Sequence, residues 1–284
     1  MNAGVRQIDG TARKGLGDRS PKFGYWLVEN SKHLRSAGVH TPTVTYDRET
    51  NELVFPWISG INGRRLAPRY HGCIDHWVSI DMKTHSYLTR SLRPLVGLHS
   101  IDPRGLSLMA LDPWQRIEPR LPKENEECLD AEISWARQVY LMLRAVAADL
   151  RMDPPTKGLV PVHGDFHVGQ LLFDTPAGDP WMLDLDDIAL SVPESDLGNL
   201  AAHIVTSKDL FSGDILTGFR HLQSMLCRVY SEQSERRTSD CSIKFYGAVA
   251  LLRRALKLRE QDVRAPSTKD ILSAAEDLGR RLEA

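Results

Sequence analysis

The sequence predicts an α+β protein with a small strand-rich front and a large helical remainder. Short strand signals cluster before residue 60. Long segments of helical periodicity follow it, and one strand pair is embedded among them.

Taken in order, the front begins with "VRQIDGTARK", where Asp9-Gly10 between two short segments is a hairpin signal. "WLVENSKHLRSAG" places Leu27, Val28 and Leu34 at helical spacing and stops at Gly38, as a glycine-terminated helix does. "TPTVTYD" and "ELVFPWI" read as strands joined by the polar turn "RETN", and "ISGINGRRLAPR" is loop-like. Helical character sets in at "SYLTRSLRPLVGLHSI". In "AEISWARQVYLMLRAVAADL", Ile133, Ala136, Val139, Leu143, Val146 and Leu150 share one face, the pattern of a buried helix. "FYGAVALLRRALKLRE" and "KDILSAAEDLGRRLEA" predict two more helices near the carboxyl end. Between them and the front, "GQLLF" and "WMLDL" flank "DTPAGDP", whose Gly and Pro residues require a turn, so the pair reads as a hairpin.

Composition narrows the function. The chain has 284 residues with Lys+Arg 36 against Asp+Glu 37, so no overall basic field points to nucleic acid or an anionic membrane. No apolar run reaches the roughly 18 residues of a membrane span, and "MNAGVRQIDGTARKG" has no signal-peptide core. The Cys 4 of the composition are scattered without CxxC pairing, which fits free thiols. The expectation is a cytoplasmic protein acting on small molecules.

The segment "PVHGDFHVGQLLF" carries the chemistry. If Phe173 faces Trp181 across the hairpin, Gln170 stands directly opposite Asp184, with Asp165 just upstream. Directly paired residues have Cβ atoms about 4.5–5.5 Å apart on one face. Three oxygen-bearing side chains would then surround one small volume, the environment a hard cation bridging phosphates requires.

"HGDFHVGQLL" followed by "LDLDD" and "SDLGNL" resembles the core of the aminoglycoside phosphotransferase and choline kinase-like family, which has a bilobal protein-kinase-like fold. The resemblance implies an ATP-dependent kinase that phosphorylates a small-molecule hydroxyl, with Mg²⁺ and ATP as cofactors. It implies Asp165 as catalytic base, Asp184 as principal metal ligand and Gln170, where the family writes Asn, as secondary ligand. Asp186, on the same strand face as Asp184, is a further candidate ligand or a loop hydrogen-bond partner. His163 is a candidate at the catalytic loop, as scaffold or proton carrier, and His167 a candidate substrate contact.

Flanking pieces extend the resemblance. "LVFPWISG" looks like the strand and hinge over which adenine lies, offering Phe55, Trp57 and Ile58. His99 in "LVGLHSID" matches a Leu-His pair at a helix end, and Asp196 matches the Asp that braces the catalytic loop. Lys14, with Lys22 as runner-up, is the candidate phosphate-contacting lysine, and Glu29 its candidate carboxylate partner. Residues 1–60 would form a reduced nucleotide-side lobe, the first strand and the glycine-rich loop having no evident counterpart, and 61–284 the helical lobe. An alternative reading is a pseudokinase that binds a nucleotide or metabolite without turnover. "ALSVPESDLG" is too short for the activation segment of a protein kinase.

Three other clusters have plainer readings. "HGCIDH" (His71, Cys73, His76) lacks a second ligand pair for zinc, "KENEECLDAE" reads as a solvated helix start, and Arg253, Arg254, Lys257 and Arg259 read as a wet helix face.

Overall fold

The computed structural model describes residues 5–71, 74–123, 130–152, 158–261 and 267–282. Side chains of 71–82 are excluded, so the His71, Cys73, His76 cluster lies outside the described residues, as do residues 124–129 of the acidic run.

The front is a four-stranded antiparallel sheet in the order β1-β2-β4-β3, formed by β1 (Val5–Ile8), β2 (Thr11–Gly15), β3 (Thr45–Asp47) and β4 (Glu52–Pro56). The first hairpin turns at Asp9 (φ 45) and Gly10 (φ 73), both left-handed, as a two-residue turn of this twist requires. Helix α1 (Pro21–Ser36) starts earlier than its periodicity predicts, because Pro21 opens it behind Ser20. It ends as expected: Gly38 takes φ 92, Val39 N–H donates to Leu34 O and Gly38 N–H to Arg35 O, closing a Schellman cap. Leu27, Ser31 and Leu34 form its buried face.

After β5 (Ile61–Asn62), α2 (Gly63–Leu66) and β6 (Tyr70–His71) comes the long helix α3 (Ile74–His99). Helix α4 (Ala131–Leu150) buries Ala136, Val139, Leu143 and Val146 as predicted, while Leu150 is 37% exposed at its end. Then β7 (Val160–Val162), β8 (Leu171–Phe173), β9 (Trp181–Met182) and β10 (Ala189–Ser191) form short pairs around the central loops, β7 with β10 and β8 between β5 and β9. Helices α5 (Glu194–Val205), α6 (Ile215–Ser234), α7 (Asp240–Glu260) and α8 (Thr268–Arg280) complete the helical body, with β11 (Phe211–Ser212) pairing β6. The α+β class is as predicted.

Helix α5 is the axis of the body, buried along almost its whole length. It packs so tightly on α7 that a Cβ on Gly198 would lie 2.7 Å from Gly247 N. Two glycines at this crossing bring the helix backbones together. That closeness lets side chains of α7 reach the loop that α5 supports.

The hairpin register differs from expectation. Leu172, not Phe173, pairs with Trp181, and Leu171 pairs with Met182. The predicted count assumed extended strands throughout, but residues 168–170 form a turn of 3-10 helix and Asp184 adopts φ 60, ψ 60.

Candidate active site

The catalytic-loop candidate follows β7. Gly164 has φ 78, and a Cβ there would lie 2.2 Å from Asp187 O, so His163-Gly164-Asp165 turns where only glycine fits. Asp196, in the first turn of α5, accepts hydrogen bonds from His163 N (2.7 Å) and Gly164 N (2.9 Å). His99 Nε2, at the end of α3, donates to the same carboxylate (3.1 Å), and His99 Nδ1 accepts from the Tyr230 hydroxyl (2.9 Å). One turn further along α5, Asn199 Nδ2 donates to Phe166 O (2.9 Å). Residues Asp196, Asn199 and His203 stand at i, i+3 and i+7, one helix face turned to the loop.

His163 is fully buried and does not line the cleft. Its Nε2 donates to Leu183 O (2.8 Å) while Nδ1 accepts from Asp165 N (3.4 Å). The proton-carrying role considered for it is therefore corrected: both nitrogens are spent tying the loop to the strand end before Asp184.

Nearer the front sheet, Gln170 and Asp184 meet in spite of the shifted register. Leu183 N–H donates to Gln170 O (2.8 Å), and the left-handed backbone at Asp184 swings its carboxylate back to accept from Gln170 Nε2 (3.0 Å). Left-handed backbone is costly for most residues but tolerated by Asp. The Lys14 ammonium bridges Asp184 Oδ1 and Asp186 Oδ2, the latter at 2.9 Å, and Arg19 Nη1 reaches Asp186 Oδ2 at 2.6 Å. Burial alone would raise the Asp184 carboxyl; Lys14 outweighs it and holds the group below its ordinary value.

Glu29 is not the partner of Lys14. It is exposed on α1 and lines a separate shallow depression with Lys22, Tyr25 and Trp26. The face of α1 turned inward is built from apolar Leu27 and Leu34, and Arg19 just ahead of the helix supplies the missed charge. Phe55, Trp57 and Ile58 line the same cleft as Lys14, with Trp57 44% exposed.

The donors suit a hard dication. Asp184, Asp186 and the free amide oxygen of Gln170 are all oxygen ligands, and two of them already hold a cation, the Lys14 ammonium. Among the described residues no three or more His, Cys, Asp or Glu groups form a metal cage. Two carboxylates and an amide oxygen would fit Mg²⁺, which takes one or two carboxylates and completes its shell with water and phosphate.

The third group of residues comes from α7 and from Arg116. Arg253 of α7 donates to Asp165 Oδ1 (2.7 Å) and to Asn199 Oδ1 (2.6 Å). Arg116 lies 3.1 Å from Asp165 Oδ2 and pairs with Asp187 on its other side. The wet-face reading of the α7 basic residues is thus overturned: Arg253, Arg254 and Lys257 line the cleft, and only Arg259 turns away, to pair with Asp130. The signal was present, since apolar residues surround that arginine pair on every face of the helix.

His167 and His203 stack beside Asp165, with centroids 4.4 Å apart and planes 12° from parallel. Burial pushes Asp165 upward, but Arg253, His203 and Arg116 overcome it and hold the carboxyl far below its ordinary range. Burial likewise lowers His167 to about 4, against the pull of Asp165. His203 falls well below its ordinary value through burial and repulsion from His167. A histidine whose folded value is depressed favours the fold fully above about pH 6.5, its unfolded value, and that contribution is lost as pH falls toward the folded value. Melting temperature should therefore drop on acidification from about pH 6.5 to pH 4, with a slope of up to about 1.4 kcal/mol per pH unit for each histidine. His167→Gln should flatten this fall; a wild-type melting temperature constant over that window would contradict it.

Lys14, Gln170 and Asp184 on one hand and Asp165, His203 and Arg253 on the other line a cleft of about 1280 Å³ between the front sheet and the helical body. The volume exceeds the roughly 300–1,000 Å³ of a one-ligand pocket.

Comparison with solved structures places the architecture. A choline/ethanolamine kinase family protein from Mesorhizobium loti superposes with a TM-score of 0.58 at 16% identity, over 98% of this chain and 84% of that one. The choline kinase LicA of Streptococcus pneumoniae gives 0.59 at 16% identity, over 98% and 89%. An aminoglycoside phosphotransferase of Streptomyces rimosus, in complex with ADP and streptomycin, gives 0.52 at 15% identity, over 89% and 94%. A search of curated proteins returns no match. The model of the phosphotransferase enzyme family matches residues 26–225, from within α1 to the middle of α6, and so spans the Asp165 loop, the Gln170–Asp184 pair and the Asp196 brace. The chain belongs to the phosphotransferase enzyme family.

Proposed function

We propose that the chain is an ATP-dependent kinase that transfers the terminal phosphate to a hydroxyl of a small molecule. The observation that carries this reading is that Asp165 and the Lys14, Gln170, Asp184 cluster line one cleft. Phe55, at the end of the inner strand β4, with Trp57 and Ile58 just after it, offers an apolar seat for a base. Lys14 exchanges carboxylate partners for nucleotide phosphates. Mg²⁺ held by Asp184, with Gln170 or Asp186, would neutralise charge on those phosphates.

Asp165 stays ionised, and its ion pairs make it a weak base. Its work is to accept a hydrogen bond from the acceptor hydroxyl and aim that oxygen at phosphorus. The O–P bond forms as the bond to the ADP oxygen breaks. The hydroxyl proton passes to the Asp165 carboxylate late, consistent with a loose transition state.

A second reading, a nucleotide or metabolite binding module without turnover, is favoured by the two arginines that grip Asp165. Incubation with γ-labelled ATP and a panel of hydroxyl compounds separates the two. Label appearing on an acceptor supports the kinase; saturable nucleotide binding with no transfer to any acceptor leaves the binding module.

A further inference from the structure

The acceptor half of the cleft is strongly cationic. Several of its charges are already matched: Arg116 and Arg253 by Asp165 and Asp187, and Arg120 by Glu260. Arg254 and Lys257 are different. Both line the cleft, and neither has a carboxylate partner among the described residues. Arg254 Nε donates to Thr206 Oγ1 (3.1 Å), and across from it Arg64 Nη2 donates to Ser207 Oγ (2.9 Å). Thr206 and Ser207 close the end of α5, so two hydroxyls and two arginines lie together there; Arg64 is also paired with Asp209 (3.6 Å), which leaves Arg254 and Lys257 as the uncompensated charges.

Burial lowers both Arg254 and Lys257. Arg253 lowers each further, and Asp165 only partly offsets this. Cations crowded in a partly desolvated cleft carry an electrostatic cost that an anion from outside would remove. Lys257 stands one helical turn beyond Arg253, which is bonded to Asp165. An anion on Lys257 and Arg254 would therefore sit about one turn, roughly 5–6 Å, from the point where a hydroxyl meets Asp165.

Resting on the kinase reading, we propose that the acceptor is an anionic hydroxy compound whose phosphate or carboxylate is held by Arg254 and Lys257 while its hydroxyl is held by Asp165. Choline and streptomycin, named with the structural relatives, carry positive charge and would be repelled by this wall.

Two measurements test it. In the first, inorganic phosphate and, separately, acetate are titrated calorimetrically into the full chain and into Arg254→Gln/Lys257→Gln, with Lys257→Gln alone as a variant that removes only a half-exposed side chain. At least one oxyanion should bind the wild type and lose tenfold or more in affinity in the double variant, with unchanged melting temperature; which one does so distinguishes a phosphate from a carboxylate group. Equal binding by both chains, or none by the wild type, overturns the proposal. In the second, ATP-dependent turnover is compared for glucose 6-phosphate, glycerate, glucose and choline. Turnover confined to the anionic acceptors supports it, with KM for that acceptor raised about tenfold in Lys257→Gln and KM for ATP unchanged. Preference for glucose or choline, or a rise in KM for ATP instead, overturns it. Should no acceptor be turned over, the kinase reading fails and the oxyanion titration still decides the anion site.

Discussion

Asp165→Asn is expected to reduce kcat by about 10²–10⁴ while leaving Mg-ATP affinity nearly unchanged. The range is that of a positioned proton acceptor. The affinity should hold because the nucleotide-side groups, Lys14, Gln170 and Asp184, contact one another rather than Asp165. The substitution preserves shape but removes the charge that Arg253 and Arg116 share. Breaking a fully buried pair costs about 3–5 kcal/mol, and the cost here should be lower, because Arg116 is 37% exposed and Arg253 keeps Asn199. Steady-state kinetics beside a thermal melt separates the two effects. A folded Asp165→Asn with wild-type kcat would remove this residue from the chemistry.

Asp196→Ala is expected to give the largest loss of stability. Its carboxylate accepts from His163 N, Gly164 N and His99 Nε2, and its side chain is only 1% exposed. Truncation strands those donors in the interior, at about 1–3 kcal/mol each and less than additively. A total of about 3–5 kcal/mol would lower the melting temperature by about 6 °C or more. The same carboxylate shapes the loop that carries Asp165, so turnover should fall even in the fraction that remains folded. A melting temperature within a degree or two of wild type would show that the His99, Asp196, Tyr230 network does not brace the loop.

What could be read from the sequence was local. The Asp9-Gly10 turn, the Gly38 helix stop and the meeting of Gln170 with Asp184 each depend on neighbours within a few turns of chain, and the structure shows them as expected; Asp165 lines the same cleft but is bonded to Arg253 and Arg116, not to that pair. His99 and Asp196 were legible only through family resemblance, since they are 97 residues apart. The hairpin register differs from the one the sequence predicts because strand alternation does not announce a 3-10 turn or a left-handed Asp184. Glu29 failed for a related reason: helical phase decides which face of α1 meets the sheet, and the apolar residues took it. Arg253, Arg254 and Lys257 were misassigned because charge on a helix usually marks solvent. Here the Gly198–Gly247 contact draws α7 against α5 and turns that charge into the cleft.

The most direct test of the central claim, that Asp184 anchors a magnesium nucleotide in the cleft that Asp165 also lines, is calorimetric titration of Mg-ATP into the full chain and into Asp184→Ala. Saturable binding by the wild type, weakened at least about tenfold in the variant, is the predicted result, since a charged anchor is worth about 1.5–3 kcal/mol. Binding of equal strength in both, or no binding by the folded wild type, would contradict it.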